Sequence, residues 1–216
     1  MLVAAGGLGL AYRRFAGGPQ PFALELVNVE LNDEFLNLEK WETPPAGWRV
    51  NRSRGAGSLE ITGQPQLGYL KGVAYKDLEA AFDLTLLDRR GAAWAVRVNG
   101  EGDYYLFYLS GPDGLHPNRF LATVVRGGKP EPKSEQATNL VAPLDAGQSY
   151  HVELTAEGNK LKHKMTNNET GEETELGYFV DPHNTYPEGG FGFRAVNGES
   201  FAVDNLWLRP LGMVKP

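Results

Sequence analysis

The sequence predicts an all-β protein, a two-sheet antiparallel jelly-roll sandwich, and three observations carry that expectation. Short runs of alternating apolar and polar residues recur along the chain, which is the period of strands with one face in a core. Its 27 glycines and 14 prolines fall between those runs, where a many-turned β protein needs residues that reverse the chain. No stretch sustains a helical apolar period, so long helices are not expected. With 216 residues and 41% hydrophobic content, the chain can bury one sizeable core. The expected organisation is an apolar segment and linker over 1–21, a sandwich over 22–210 and a short tail over 211–216.

Taken in order, strands are expected over 23–29, near Asn32 to Phe35, and around Trp41 and Trp48, where Pro44-Pro45-Ala46-Gly47 breaks the run. A short one follows over 58–62. Over 78–86 the alternation puts Leu78, Ala80, Phe82, Leu84 and Leu86 on a core face, against Glu79, Ala81, Asp83 and Thr85 on a polar one. The runs 92–98 and 103–109 flank Asn99-Gly100-Glu101-Gly102 and are expected to pair as an antiparallel hairpin. Further strands fall over 120–126, 150–156 and 161–165, the last two joined by Glu157-Gly158-Asn159. Between them, 127–140 is polar and holds prolines, as an exposed loop would. The closing stretch 189–210 reads as a hairpin around Asn197-Gly198, with Phe191, Phe193 and Ala195 inward, Arg194 outward, and Phe201, Val203, Leu206 and Leu208 serving the second strand.

Charge and composition narrow the function. A net charge of −6 with no clustered basic run argues against a nucleic-acid partner. With no cysteine there is neither a disulfide nor a thiolate chemistry to consider. The run from Leu2 to Tyr12 is apolar but falls short of the roughly 20 residues a bilayer span needs, and Arg13 and Arg14 follow it. Two readings stay open: membrane association through Leu2 to Phe15 as the tail of an anchor, or a small-residue segment that packs against protein. A membrane-associated, extracytoplasmic module is expected; if Met1 is the true start, the arginine pair favours the cytoplasmic side.

The order of several pieces resembles the concanavalin A-like lectin and glucanase superfamily, especially laminin-G-like bacterial domains related to the 3-keto-disaccharide hydrolase domain. The pieces are Asp33-Glu34-Phe35 with Trp41 and Trp48, Tyr75-Lys76-Asp77-Leu78-Glu79 leading to Phe82, and Ala93-Trp94-Ala95-Val96-Arg97 followed by Tyr104-Tyr105. Ala146-Gly147 before Tyr150, Gly192-Phe193-Arg194 and Val203-Asp204-Asn205 complete the set, over residues 30–210. The resemblance implies a sandwich that serves lectins, lyases, hydrolases and scaffolds alike. The Glu-x-Asp-x-Glu strand of its glucanases is absent here, and Tyr104-Tyr105 stands where the keto-sugar hydrolases carry Tyr-Glu. The expected function is therefore a non-catalytic module binding carbohydrate or a protein partner; the alternatives are a glycan-acting enzyme and an accessory subunit of a membrane complex. The resemblance also implies a structural calcium joining first and last strands, with Asp33, Glu34 and Asp204 as ligands. The plainer reading is that Asp204 and Asn205 cap backbone groups at a sheet edge.

Pairing Val98 with Asp103 across the hairpin puts Trp94, Val96, Tyr105, Phe107 and Leu109 on one side, and Arg97, Tyr104, Leu106 and Tyr108 on the other. The first side is core. On the second, Arg97, Tyr104 and Tyr108, joined by Arg194, form the candidate ligand-binding face: rings to stack on a sugar and forked donors for its hydroxyls. The bland alternative is packing under loops or against another subunit. His151 and Glu153 alternate with core positions and either join that face or meet solvent. Of the four histidines, none has a metal-ligating strand spacing, and His163 shares its side with Leu161 and Met165, as a partly buried, satisfied histidine would. Lys160, Lys162 and Lys164 read as a solvated edge-protecting face.

Overall fold

The computed structural model describes residues 24–42, 46–53, 56–63 and 65–212. The described residues form two eight-stranded sheets plus a small parallel pair, Glu25–Leu26 with Val73–Ala74. In the first sheet, Arg119–Arg126, Tyr104–Ser110, Gly91–Val98, Gly190–Arg194, Leu67–Leu70 and Trp41–Glu42 lie side by side. Beyond Arg119–Arg126 its edge is finished by Lys129–Pro130 and Gln136–Asn139. In the second, the order is Glu173–Val180, Lys160–Asn167, Ser149–Glu157, Leu78–Leu86, Ser200–Pro210, Ala56–Thr62 and Trp48–Ser53, with Leu31–Asp33 also against Ser200–Pro210. Within both large sheets the pairings are antiparallel, and the two most extensive, Leu78–Leu86 with Ser200–Pro210 and with Ser149–Glu157, join strands distant in sequence, as the jelly-roll sandwich requires.

One apolar core fills the space between the sheets. Leu78, Ala80, Phe82, Leu84 and Leu86 meet Trp94, Val96, Tyr105, Phe107 and Leu109, as their alternation dictates. Trp41 stacks on Phe193 at 5.8 Å, and Phe82 meets the edge of Phe193 at 5.1 Å, so the aromatic residues of both sheets interlock. His163 is fully buried among them, its ring 4.1 Å from Phe107. Trp94 Nε1–H donates to His163 Nε2 at 3.2 Å, while Nδ1 has no partner. Burial holds this histidine down to about 3, hence neutral. It is satisfied on one nitrogen only, and it is more deeply buried than its sequence neighbours suggest.

The hairpin at Asn99-Gly100 forms in the expected register, Tyr105 opposite Val96, and the expected hairpin at Gly158-Asn159 forms with Leu154 opposite His163. The closing hairpin does not. Gly190–Arg194 pairs within the first sheet and Ser200–Pro210 within the second, so the chain between them crosses from sheet to sheet. Glu199, fully buried, accepts the Val196 and Asn197 N–H groups at 2.6 and 2.8 Å and so shapes a corner in place of a two-residue turn. The polar stretch after Arg126 is largely exposed but not structureless, since Gln136–Asn139 adds to the first sheet. Leu67–Leu70 and Glu173–Val180 are strands that alternation did not reveal. The segment from Leu2 to Phe15 lies outside the described residues, as do 1–23 altogether; among the described residues no helix is long and apolar enough to cross a membrane.

Candidate functional site

The expected ligand face does not present itself to solvent. Arg97 is the extra residue of a β-bulge, with φ of 54°, where Val96 pairs with Phe191 and Val98 with Gly190. The bulge turns its guanidinium off the outer face and under the 181–189 segment. There it is 0% exposed, donating to the carbonyls of Tyr186 at 2.9 Å and Lys76 at 3.0 Å, with Asp77 at 3.4 Å. Tyr105 and Asp181 continue the network: Tyr105 donates to Asp181 at 2.8 Å and accepts the Tyr186 N–H at 3.0 Å. A Cβ on Gly189 would stand 2.5 Å from the Arg97 carbonyl carbon, so the two segments meet backbone to backbone. Arg97 is a tie between loops.

Tyr104 and Tyr108 do leave the inner core, as the register demands, but they sit in a second apolar cluster with Tyr69, Ala93, Ala95, Leu106 and Leu121 on the outer side of the first sheet. Tyr104 is 0% exposed, its hydroxyl held by Arg194, which also reaches the Pro65 carbonyl at 3.3 Å. Burial pushes that phenol up, against the pull of Arg194. Tyr108 accepts the Leu115 N–H and donates to the Arg90 carbonyl. Arg194 and Tyr104 come together as expected, Tyr108 lies on the same face, and Arg97 does not join them.

The implied calcium ligands do not form a metal cage: Glu34 lies near enough to Asp204 to raise its carboxyl, but Asp33 is turned inward. Asp33 is 5% exposed and spent on the protein, accepting Trp41 Nε1–H at 2.7 Å and the Phe35 N–H at 2.9 Å. Asp204 Oδ1 accepts the N–H of its own neighbour Asn205. Among the described residues no group of three or more His, Asp or Glu is gathered to hold a metal ion.

The open polar surface lies on the other sheet, built by Leu78–Leu86, Ser149–Glu157 and Ser200–Pro210. Asp83 and His151 are cross-strand partners, and His151 Nδ1 meets Asp83 Oδ1 at 2.8 Å. Asn205 donates to the other oxygen of Asp83 at 2.7 Å. Asn205, with φ of 49°, sits at a one-residue bulge: Asp204 pairs with Asp83, yet Trp207 pairs with Ala81. The inserted residue lets Asp204 and Trp207 share the outer side although they are three apart, while Val203, Leu206 and Leu208 all stay inside. Trp207 is half-buried beside Arg209, whose guanidinium carbon is 5.1 Å from its ring and whose Nε binds Glu79 at 2.5 Å. Burial raises the Asp204 carboxyl, and the neighbouring Asp83 and Glu34 raise it further. Glu153 and Lys164, paired at 2.7 Å, continue the surface one strand on. The result is an aromatic ring framed by planar donors and acceptors that fix one another's orientation, an arrangement suited to a polar ring with one apolar face.

No protein-family model matches this chain, and no curated protein does. Solved structures do match in fold. The carbohydrate-binding module CBM66 from Bacillus subtilis is 16% identical with a TM-score of 0.56, over 77% of this chain and 93% of that one. Lectin II from Ulex europaeus is 12% identical with a TM-score of 0.54, covering 84% and 98%. A Bacillus subtilis protein of unknown function with a galectin-like fold is 12% identical with a TM-score of 0.56, covering 83% and 94%. The fold is a concanavalin A-like jelly roll.

Proposed function

We propose that this protein is a carbohydrate-binding β-sandwich that holds a sugar ring against Trp207, with Asp83, His151, Asn205 and Arg209 bonding its hydroxyls. The observation that carries the reading is the bulge at Asn205, which places the half-buried Trp207 beside preoriented polar groups on the outer face of the second sheet. The lectin and carbohydrate-binding-module folds similar to this one support the ligand class. The Tyr104 and Arg194 pair, being enclosed, is assigned to stability. Membrane association through Leu2 to Phe15 remains part of the proposal, with fractionation of the full chain as its test.

A glycan array followed by calorimetry decides the main claim. Trp207→Ala should weaken the best ligand by about 1–3 kcal/mol, the worth of an aromatic stack, while the unfolding midpoint hardly moves. Full-strength binding by Trp207→Ala, or no glycan retained by the wild type, ends the proposal.

A further inference from the structure

A cavity of about 210 Å³ opens where Ser149–Glu157 begins and Lys160–Asn167 ends, between the 140–148 segment and the turn leading into Glu173–Val180. Its floor is apolar and belongs to the main core: Leu144, Met165 and the ring of Tyr150. Leu140 and Pro143 extend that apolar side. The facing wall is polar, formed by Thr170, Glu172 and Thr174, with Gln148 beside it.

The polar wall is fixed before any ligand arrives. Asn167 Oδ1 accepts the N–H groups of Glu169 and Thr170 at 2.9 and 3.1 Å, and Thr170 Oγ1 accepts that of Glu172 at 3.2 Å, so the turn is tied internally. Gln148 Oε1 takes the Asp145 N–H at 2.9 Å and the Tyr150 hydroxyl, which directs the amide of Gln148 by its other end. Among the described residues neither Lys nor Arg lines the cavity, whose one charged lining residue is Glu172; Asp145 nearby is paired with Arg89 at 3.4 Å. Burial pushes the Tyr150 phenol up to about 12, and the carboxylates of Asp145, Glu169 and Glu172 add to the rise.

A partly open space with one apolar wall and one wall of hydroxyls and the Glu172 carboxylate suits a small neutral ring that is itself apolar on one side and hydroxylated at its edge. We infer that this cavity is a second sugar site, separate from Trp207, that takes a single uncharged pyranose and excludes sugar acids. The inference rests on the carbohydrate-binding reading above and adds to it a position and a charge selectivity. A glycan long enough to engage both sites would bind more tightly than either site alone, through effective concentration.

Two reporters make the test independent of variants that fail to fold. Met165 lines the cavity, and Trp207 lies on the outer side of the second sheet, so the Met165 methyl and the Trp207 indole N–H resonances report on the two places separately. NMR titration of the full chain with methyl glucoside, methyl galactoside, methyl mannoside and N-acetylglucosamine should shift Met165, and Trp207→Ala should keep that shift. Glucuronic acid should bind there more weakly by about tenfold or more, and Glu172→Lys should narrow the gap. If Trp207 responds to these sugars while Met165 stays still, the cavity assignment falls and the open-face function stands. If neither responds, both fall. A Met165 response as strong with glucuronic acid overturns the selectivity.

Discussion

The two sheets treat their outer faces in opposite ways. On the first, Ala93, Ala95, Tyr104, Leu106 and Leu121 form an enclosed apolar layer with Arg194 bonded to Tyr104. On the second, the ion pairs Glu79–Arg209 and Glu153–Lys164 and the hydrogen-bonded Asp83 and His151 form a polar surface around Trp207. Both sets leave the central core by the same two-residue alternation. Alternation therefore tells which residues turn away from the core, and the chemistry along each strand tells whether they meet water. The outward residues of Tyr104–Ser110 are Tyr, Leu, Tyr and Ser, whereas those of Leu78–Leu86 are Glu, Ala, Asp and Thr. Aromatic rings made the first face look like a sugar platform, but a run apolar on both sides is the mark of a strand buried on both sides.

The largest expected effect comes from the residue that changed sides. Arg97→Met should cost about 3–5 kcal/mol in urea unfolding, because it leaves the Lys76 and Tyr186 carbonyls without their donor and releases the 181–189 segment. A loss below about 1 kcal/mol would mean that the guanidinium is not the tie described. Leu106→Ala comes next. At 5% exposure in the enclosed outer layer it should cost about 2–5 kcal/mol, the range for a buried leucine. A near-neutral result would show that the first sheet's outer face is open in solution, and would return Tyr104 and Arg194 to candidacy as ligand contacts.

Acid tests the burial of His163. The folded value of His163, about 3, lies below its unfolded value near 6.5, so between these pH values the unfolded chain binds the extra proton. Its contribution to stability is intact above pH 6.5 and is lost progressively as pH falls towards 3, on the order of 1 kcal/mol for each pH unit. His163→Met should flatten that part of the stability profile. Identical profiles for wild type and His163→Met would refute the burial argument.

How much of this was legible in the sequence depends on where the strands are regular. The core faces of 78–86, 92–98 and 103–109 follow from alternation alone, and both tight hairpins follow from their turn residues. What escaped was irregular. Glu173–Val180 hides its strand character because the bulge at Gly177 puts its buried residues, Leu176 and Phe179, three apart. Arg97 escaped for the same reason, since a bulge residue belongs to neither face. The bulge at Asn205 was nonetheless written in the chain: apolar positions run 201 and 203, then 206 and 208, and that change of parity requires one inserted residue. Reading it would have placed Trp207 beside Asp83 and His151, which lie on strands remote in sequence and are united only by sheet order. The closing strands were misread as a hairpin because Asn-Gly signals a tight reversal without saying whether the two strands share a sheet.

The smallest effect tests the open face directly. Lys164 and Glu153 face each other across neighbouring strands at 2.7 Å, and each side chain is about a third exposed, 34% and 39%. Such a pair gains little net energy, since water screens the attraction and two long side chains lose freedom to make it. Glu153 raises the Lys164 ammonium through a hydrogen bond and its charge, which shows contact but not stabilisation. Lys164→Ala should therefore change unfolding by less than about 1 kcal/mol, and added salt should shrink even that. The same truncation on the enclosed face, Leu106→Ala, removes a shorter side chain at several times the cost. A Lys164→Ala loss as large as that of Leu106→Ala would mean that the second face is covered in solution as the first is, and the sugar would then have to be sought elsewhere on the molecule.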